Sequence, residues 1–276
     1  MKTSTAPQTQ SNPWVFFALT YGLTWSFWIP AALWGAPEPA PVTTLLHYLG
    51  GLMPPLVAIG LTFLRRDRDA WHDYWQRVIG FGRIRAGWYA VILLTAPALT
   101  GLGALLDVLL GGTGAQIETR FLANPLAVVP FAFFTLFFGP LPEEIAWRGY
   151  ALDRLQARWS ALASSLVLGL AWTLWHVPLF FIEGSYQHGL IGSLSFWLFW
   201  LGLVPQSILM TWIYNHNRRS TLSAVLFHYA VNLTGELFAL TERAELCYAL
   251  LWIVAALVVI AVWGSSRLKR TRPGGD

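Results

Sequence analysis

The chain has 276 residues, 55% of them hydrophobic and only 12% charged, with a net charge of +4 at pH 7. A soluble domain carries about 25% charged residues to coat its water-facing surface, so an ordinary soluble globule is excluded and lipid must solvate much of this protein. The single cysteine, Cys247, excludes an intrachain disulfide framework and a cysteine-rich zinc site. An isoelectric point near 9.4 invites a nucleic-acid reading. The basic residues, however, fall in short clusters between apolar stretches, as in cytoplasmic loops, and no nucleic-acid partner is expected.

Lys2 and a polar lead precede a first apolar stretch over 14–34, too long for the core of a cleavable signal and read as a retained transmembrane helix. A Pro-rich loop from Ala36 to Pro41 reads as a stiff turn into the second stretch, 43–64. Segment 66–83 mixes charges with Trp and Tyr, which predicts a helix lying on the cytoplasmic surface rather than a solvated loop. Stretches 87–110 and 124–140 follow, then a more polar helical segment over 142–158. The last four stretches are 160–181, 190–213, 221–240 and 245–264. Each approaches the roughly 20 residues a membrane span needs. The expected fold is all-α, a polytopic transmembrane bundle of about eight spans with a catalytic cavity among the C-terminal helices. It divides into N-terminal helices with the amphipathic segment (1–120), a catalytic membrane domain (121–264) and a basic tail (265–276).

With the N-terminus in the cytoplasm, every one of the 18 Lys and Arg residues except Arg120 and Arg243 reaches the cytoplasmic side. Both termini are therefore expected there, with the catalytic groups in the cytoplasmic half of what reads as a bacterial inner (plasma) membrane. The sixteen Trp residues suit interfacial belts, with several lying deeper.

Ionisable groups inside apolar helices are costly and are functional candidates. The second half of the chain holds Glu143, Glu144, Arg148, His176, His228, Asn232 and Glu236. Acids after Pro142 suit a helix N-terminus on structural grounds alone. Arg148, four residues after Glu144, shares its helix face and can pair with it. Glu143, turned about 100° away, has no such partner in the segment and is the working acid, as a general base or a metal ligand. His176 precedes Val177 and Pro178, and the proline opens the helix there. A core histidine is the competing reading. His228 and Asn232 project from one face, where a bridge to a neighbouring helix competes with a site. Two carboxylates, two imidazoles and an amide on three apolar segments point together to one cavity. Asp107 reads as facing the extracytoplasmic end of its helix. Asn215, His216 and Asn217 read as a cytoplasmic loop that can touch substrate.

Glu143, Glu144 and Arg148, then Trp172 with His176, then His228 with Asn232, resemble the three ordered motifs of the CPBP intramembrane proteases, which include the type II CAAX prenyl endopeptidases. The resemblance covers about residues 125–240. It departs at Trp172, where Phe is usual, which reads as a change of size rather than chemistry. The resemblance implies an endopeptidase acting on a membrane-associated peptide or lipidated protein, by CAAX-type cleavage or by bacteriocin or peptide processing. Glu143, with His176, would activate water, His228 and Asn232 would stabilise the oxyanion, and Arg148 would hold Glu144. The favoured reading needs no cofactor beyond the substrate and surrounding lipids. A metal-dependent version would use Glu143, His176 and His228 as zinc ligands. Competing functions are a non-catalytic immunity or scaffold protein and a proton-coupled transporter, which lacks support from paired broken repeats.

Overall fold

The computed structural model describes residues 12–34 and 41–269; the polar lead with Lys2, the turn residues 35–40, and Arg270 and Arg272 lie outside the described residues. Helix α1 (Pro13–Leu33) begins where Asn12 accepts the Trp14 amide at 3.0 Å. It packs along α2 (Pro41–Phe63), whose Pro54 and Pro55 sit inside the helix. Membrane helices tolerate such prolines because neighbouring groups satisfy the freed backbone. Helix α3 (Arg68–Ile79) is the amphipathic segment, capped by Asp67, which accepts the Ala70 amide at 3.0 Å. Its Tyr74, Arg77 and Val78 face inward against the bundle, while Asp69 and Arg68 face out.

Helix α4 (Ala86–Leu109) leads to a short strand β1 (Ala115–Ile117) and helix α5 (Thr119–Ala123). Helices α6 (Val128–Phe138), α7 (Pro140–Ala146) and α8 (Leu152–Gln156) form one long broken traverse. Helix α9 (Ala161–Trp175) follows, then α10 (Tyr186–Gly189), α11 (Leu194–His216), α12 (Thr221–Leu237), strand β2 (Phe238–Leu240) and α13 (Glu242–Trp263). Among the described residues, seven helices are long and apolar enough to cross a membrane: Pro13–Leu33, Pro41–Phe63, Ala86–Leu109, Pro125–Gln156, Ala161–Phe181, Leu194–His216 and Glu242–Trp263. The eighth expected stretch is α12, which has only 17 residues and is enclosed by α4, α7 and α11. Phe133, Phe137, Leu170, Leu174, Leu250 and Val254 turn outward, the apolar exterior of a multi-pass integral membrane protein. Trp28, Trp147, Trp172 and Trp252 are fully buried, whereas Trp14, Trp34 and Trp197 are exposed near helix ends.

The two ends of the bundle differ in charge. One end collects the linkers around Arg65, Arg85, Arg158, Arg219 and Arg267; the other carries β1, β2, α10 and Arg243. Strands β1 and β2 pair antiparallel, Ala115 opposite Leu240 and Ile117 opposite Phe238. Three-residue strands are too short to leave a period-two signal, so the sequence does not reveal them. Asp107 anchors this pairing. Its carboxylate accepts the Gly114 amide at 2.8 Å and the Thr241 hydroxyl at 2.9 Å, and it pairs with Arg243. A Cβ on Gly112 would fall on that held carboxylate. Gly112→Ala is expected to cost about 1–3 kcal/mol through overpacking, read as a lower unfolding midpoint in detergent. An unchanged midpoint contradicts this anchoring role.

Candidate active site

Gly139 and Pro140 break the fourth traverse, so that α7 starts afresh inside the bundle. The Glu143 amide donates to the Gly139 carbonyl at 3.2 Å in this first turn. A π-helical turn, Trp147–Ala151, then follows, a feature that recurs at functional sites. These breaks set the two adjacent acids in different surroundings. Glu144 is fully buried, whereas Glu143 is partly open to a cavity.

Glu144 is held by two cationic or donor groups. Arg148 Nη1 lies 3.0 Å from its Oε1, and His228 Nδ1 lies 3.0 Å from the same oxygen. Arg148 continues through Nη2 to Ser207 Oγ at 3.1 Å, and Ser207 donates to the Ser165 carbonyl at 3.0 Å. One buried network thus ties α7 to α12, α11 and α9. The expected Glu144–Arg148 pair is present; the His228 arm and Ser207 are additions. Ser207 had a signal in the sequence, a small polar group in the apolar middle of its span.

Among the described residues, the Glu143 carboxylate has one hydrogen-bond partner, from another helix. The indole N–H of Trp172 donates to Glu143 Oε2 at 2.6 Å. The Trp172 ring also lies 5.0 Å from the His228 ring, and the Arg148 guanidinium sits 5.1 Å over it. Phe at this position lacks the donor, so the substitution changes chemistry as well as size. The expectation of a change in size alone is corrected here.

Helix α9 ends at Trp175 because Pro178 cannot continue it, and His176 sits at the break. His176 Nδ1 lies 2.8 Å from the Trp172 carbonyl. A carbonyl only accepts, so Nδ1 carries the proton and the neutral ring keeps Nε2 as an acceptor. The first half of the chain braces this region. Tyr21 donates to the Ala171 carbonyl, Trp25 Nε1 donates to the Trp175 carbonyl at 3.2 Å, and Trp175 Nε1 donates to Thr24 at 3.1 Å. On the other side, Tyr74 of α3 donates to the Ile145 carbonyl at 3.0 Å, directly beside the two acids. Burial pushes the Tyr74 phenol well above its usual range, so it stays a donor.

Glu143, His176, His228 and Asn232 all line one cavity of about 670 Å³. Its apolar wall includes Trp28, Tyr48, Phe131, Phe134 and Phe138. Gly139 lies beside Asn232, whose Nδ2 would be in ordinary contact, at 3.5 Å, with a Cβ placed there. Glu236 also lines the cavity. Asn215, His216 and Asn217 do not. Asn217 is buried, donates to the Ile213 carbonyl at 2.8 Å and accepts the Arg85 amide at 3.3 Å, which makes it a cap.

A zinc site would need Glu143, His176 and His228 to converge on one point. Among the described residues, no group of three His, Cys, Asp or Glu is arranged to hold a metal ion. In both histidines Nδ1 is held by a carbonyl or a carboxylate, which leaves Nε2 as the second ring nitrogen, and Glu143 Oε2 is bound by an indole.

A family model described as Type II CAAX prenyl endopeptidase Rce1-like matches residues 125–234. The chain is also similar to the protein named CAAX prenyl protease 2 of Methanococcus maripaludis, 31% identical over 255 residues, which span 90% of this chain and 93% of that protein.

Proposed function

The chain belongs to the Rce1-like type II CAAX prenyl endopeptidases, and from that premise we propose that it hydrolyses a peptide bond of a membrane-associated peptide or lipidated protein with Glu143 as the base. The observation that carries this reading is the division of the two acids. Glu144 is bound by Arg148 and His228 in the bundle interior, while Glu143 is left open to the cavity with a single indole donor.

Glu143 takes a proton from a water in the cavity, and the oxygen attacks the scissile carbonyl carbon. The carbonyl π electrons move to oxygen, where Asn232 Nδ2–H and, when the ring is doubly protonated, His228 Nε2–H donate to the oxyanion. The oxyanion then collapses, the C–N bond breaks, and the leaving nitrogen takes the proton from Glu143. His176 Nε2 is the acceptor available to orient the water. Trp172 is a positioning residue that fixes the Glu143 carboxylate. Loss of a hydrogen bond to a charged group costs about 1.5–3 kcal/mol. Trp172→Phe is therefore expected to lower kcat roughly 10–100-fold with little change in KM or unfolding midpoint. A rise in KM at constant kcat would contradict this role.

The relative's printed name indicates a prenyl-protein substrate, and the aromatic wall of the cavity is chemically suited to an apolar chain. Purified protein in detergent, given a farnesylated CAAX peptide and its unprenylated twin, is expected to cleave the former faster. Equal rates would favour unlipidated membrane peptides. Identical signals from wild type and Glu143→Gln on both peptides and on a membrane-peptide digest would overturn the enzyme reading in favour of a scaffold.

A further inference from the structure

Helix α3 lies outside the seven long apolar helices, yet two of its inward side chains reach the fourth traverse. Tyr74 donates its hydroxyl to the Ile145 carbonyl at 3.0 Å. Ile145 directly follows Glu144 and stands two residues before the π-helical turn Trp147–Ala151. One turn further along α3, Arg77 Nη1 lies 3.0 Å from Asp153, which stands two residues beyond the end of that turn. Tyr74 and Arg77 are i and i+3 on α3, so they share a face. They bracket the π turn, one hold on each flank. Between the holds the turn packs on α3, since a Cβ on Gly149 would lie 3.4 Å from Tyr74 Cε2.

The second hold is itself fixed from several sides. Asp153 accepts the Tyr214 hydroxyl at 2.9 Å and pairs with Arg219. Arg77 Nη1 also donates to the Tyr214 oxygen at 2.8 Å, and its Nε meets Asp73 at 3.0 Å. Arg83 lies 2.9 Å from the other Asp73 oxygen. The network ties α3 to α8 and α11. None of Tyr74, Arg77, Asp153, Tyr214 and Arg219 lines the cavity, so none of them touches substrate.

A π turn carries one residue more than the α path it replaces, and its backbone bonds run from i to i−5, here from the Leu152 amide to the Trp147 carbonyl. Collapse to a regular α path would absorb that residue and rotate one flank by about 100° relative to the other. Adjacent Glu143 and Glu144 are separated by the same angle. We propose that α3 is a clamp that holds the π turn in its present register, so that Glu143 rather than Glu144 faces the cavity. Tyr74 and Arg77 are then positioning residues that act on the reaction through the placement of Glu143. The inference rests on the endopeptidase reading with Glu143 as base.

Tyr74→Phe keeps the ring against Gly149 and removes only the hydroxyl. On a peptide that the wild type cleaves, kcat is expected to fall roughly 10–100-fold with KM unchanged, the scale on which a small displacement of a catalytic group costs rate. Combined with Trp172→Phe, the two losses should fall short of their product, because both act on the position of one carboxylate. Gly112→Ala, at the other end of the bundle, is the control for lost stability, and below its unfolding midpoint it should keep the wild-type kcat. Asp153→Asn weakens the second hold and is expected to lower kcat in the same way, so the clamp stays open to refutation even if Tyr74→Phe does not fold. A wild-type kcat in either variant, a rise in KM alone, or losses that multiply in full with Trp172→Phe would overturn the clamp and leave Glu143 as base. Cleavage that survives Glu143→Gln would remove the base and the clamp together.

Discussion

Glu143→Gln is expected to lower kcat/KM by about 10²–10⁴-fold, the typical contribution of a positioned general base. The amide keeps the volume of the carboxylate and can still accept from the Trp172 indole, so the protein should insert and fold as before. It cannot take a proton from water at neutral pH, which removes the step that makes the nucleophile. Because Glu143 does not form the apolar wall, substrate binding and KM should change little. The corresponding change at the adjacent position tests the division of labour. Glu144→Gln weakens the link to Arg148 and His228 and should lower stability as well as rate. A Glu143→Gln variant with full activity, or one that fails to fold, would remove the basis for assigning it as base.

Arg148→Met is expected to destabilise the protein by about 3–5 kcal/mol, the cost of leaving a buried charge without its partner. Arg148 and Glu144 are both 0% exposed, so water cannot replace the missing cation. Among the described residues, Arg148 Nε and Glu144 Oε2 find no protein hydrogen-bond partner. The geometry of the network points to orientation, because the Glu144 oxygen that meets Arg148 also fixes His228 Nδ1. The double variant Arg148→Met with Glu144→Leu removes both charges and should recover most of the lost stability. It should not recover activity, because His228 then lacks the acceptor that aims its other nitrogen into the cavity. Thermal unfolding in detergent read beside turnover separates these outcomes. Recovery of both together would make the network purely structural.

Much of this architecture is legible in the sequence for a simple reason. Lipid imposes a length and an apolar composition on each span, and the eight stretches found that way correspond to helices in the bundle. The helix over 68–79 was readable from its mixed charge and aromatic pattern, and the break at His176 from Pro178. That Glu143, His176, His228 and Asn232 share one cavity was readable because a polar group inside an apolar helix is costly enough to need a reason. Contacts between distant segments were not readable. Nothing local marks Trp172 as the donor to Glu143, since the indole N–H serves only when α7 and α9 meet. Tyr74 and the α1 residues Tyr21, Thr24 and Trp25 reach the site across more than 70 positions, beyond any periodicity. The β1–β2 pairing is likewise a product of Asp107 and Arg243 meeting in space.

The central claim is hydrolysis that depends on Glu143. The most direct measurement compares, by mass spectrometry, peptide termini in membranes from cells expressing the wild type or Glu143→Gln at matched levels. The account predicts a defined set of termini present only with the wild type, each created at a membrane-associated segment. Identical sets of termini from the two proteins would contradict it.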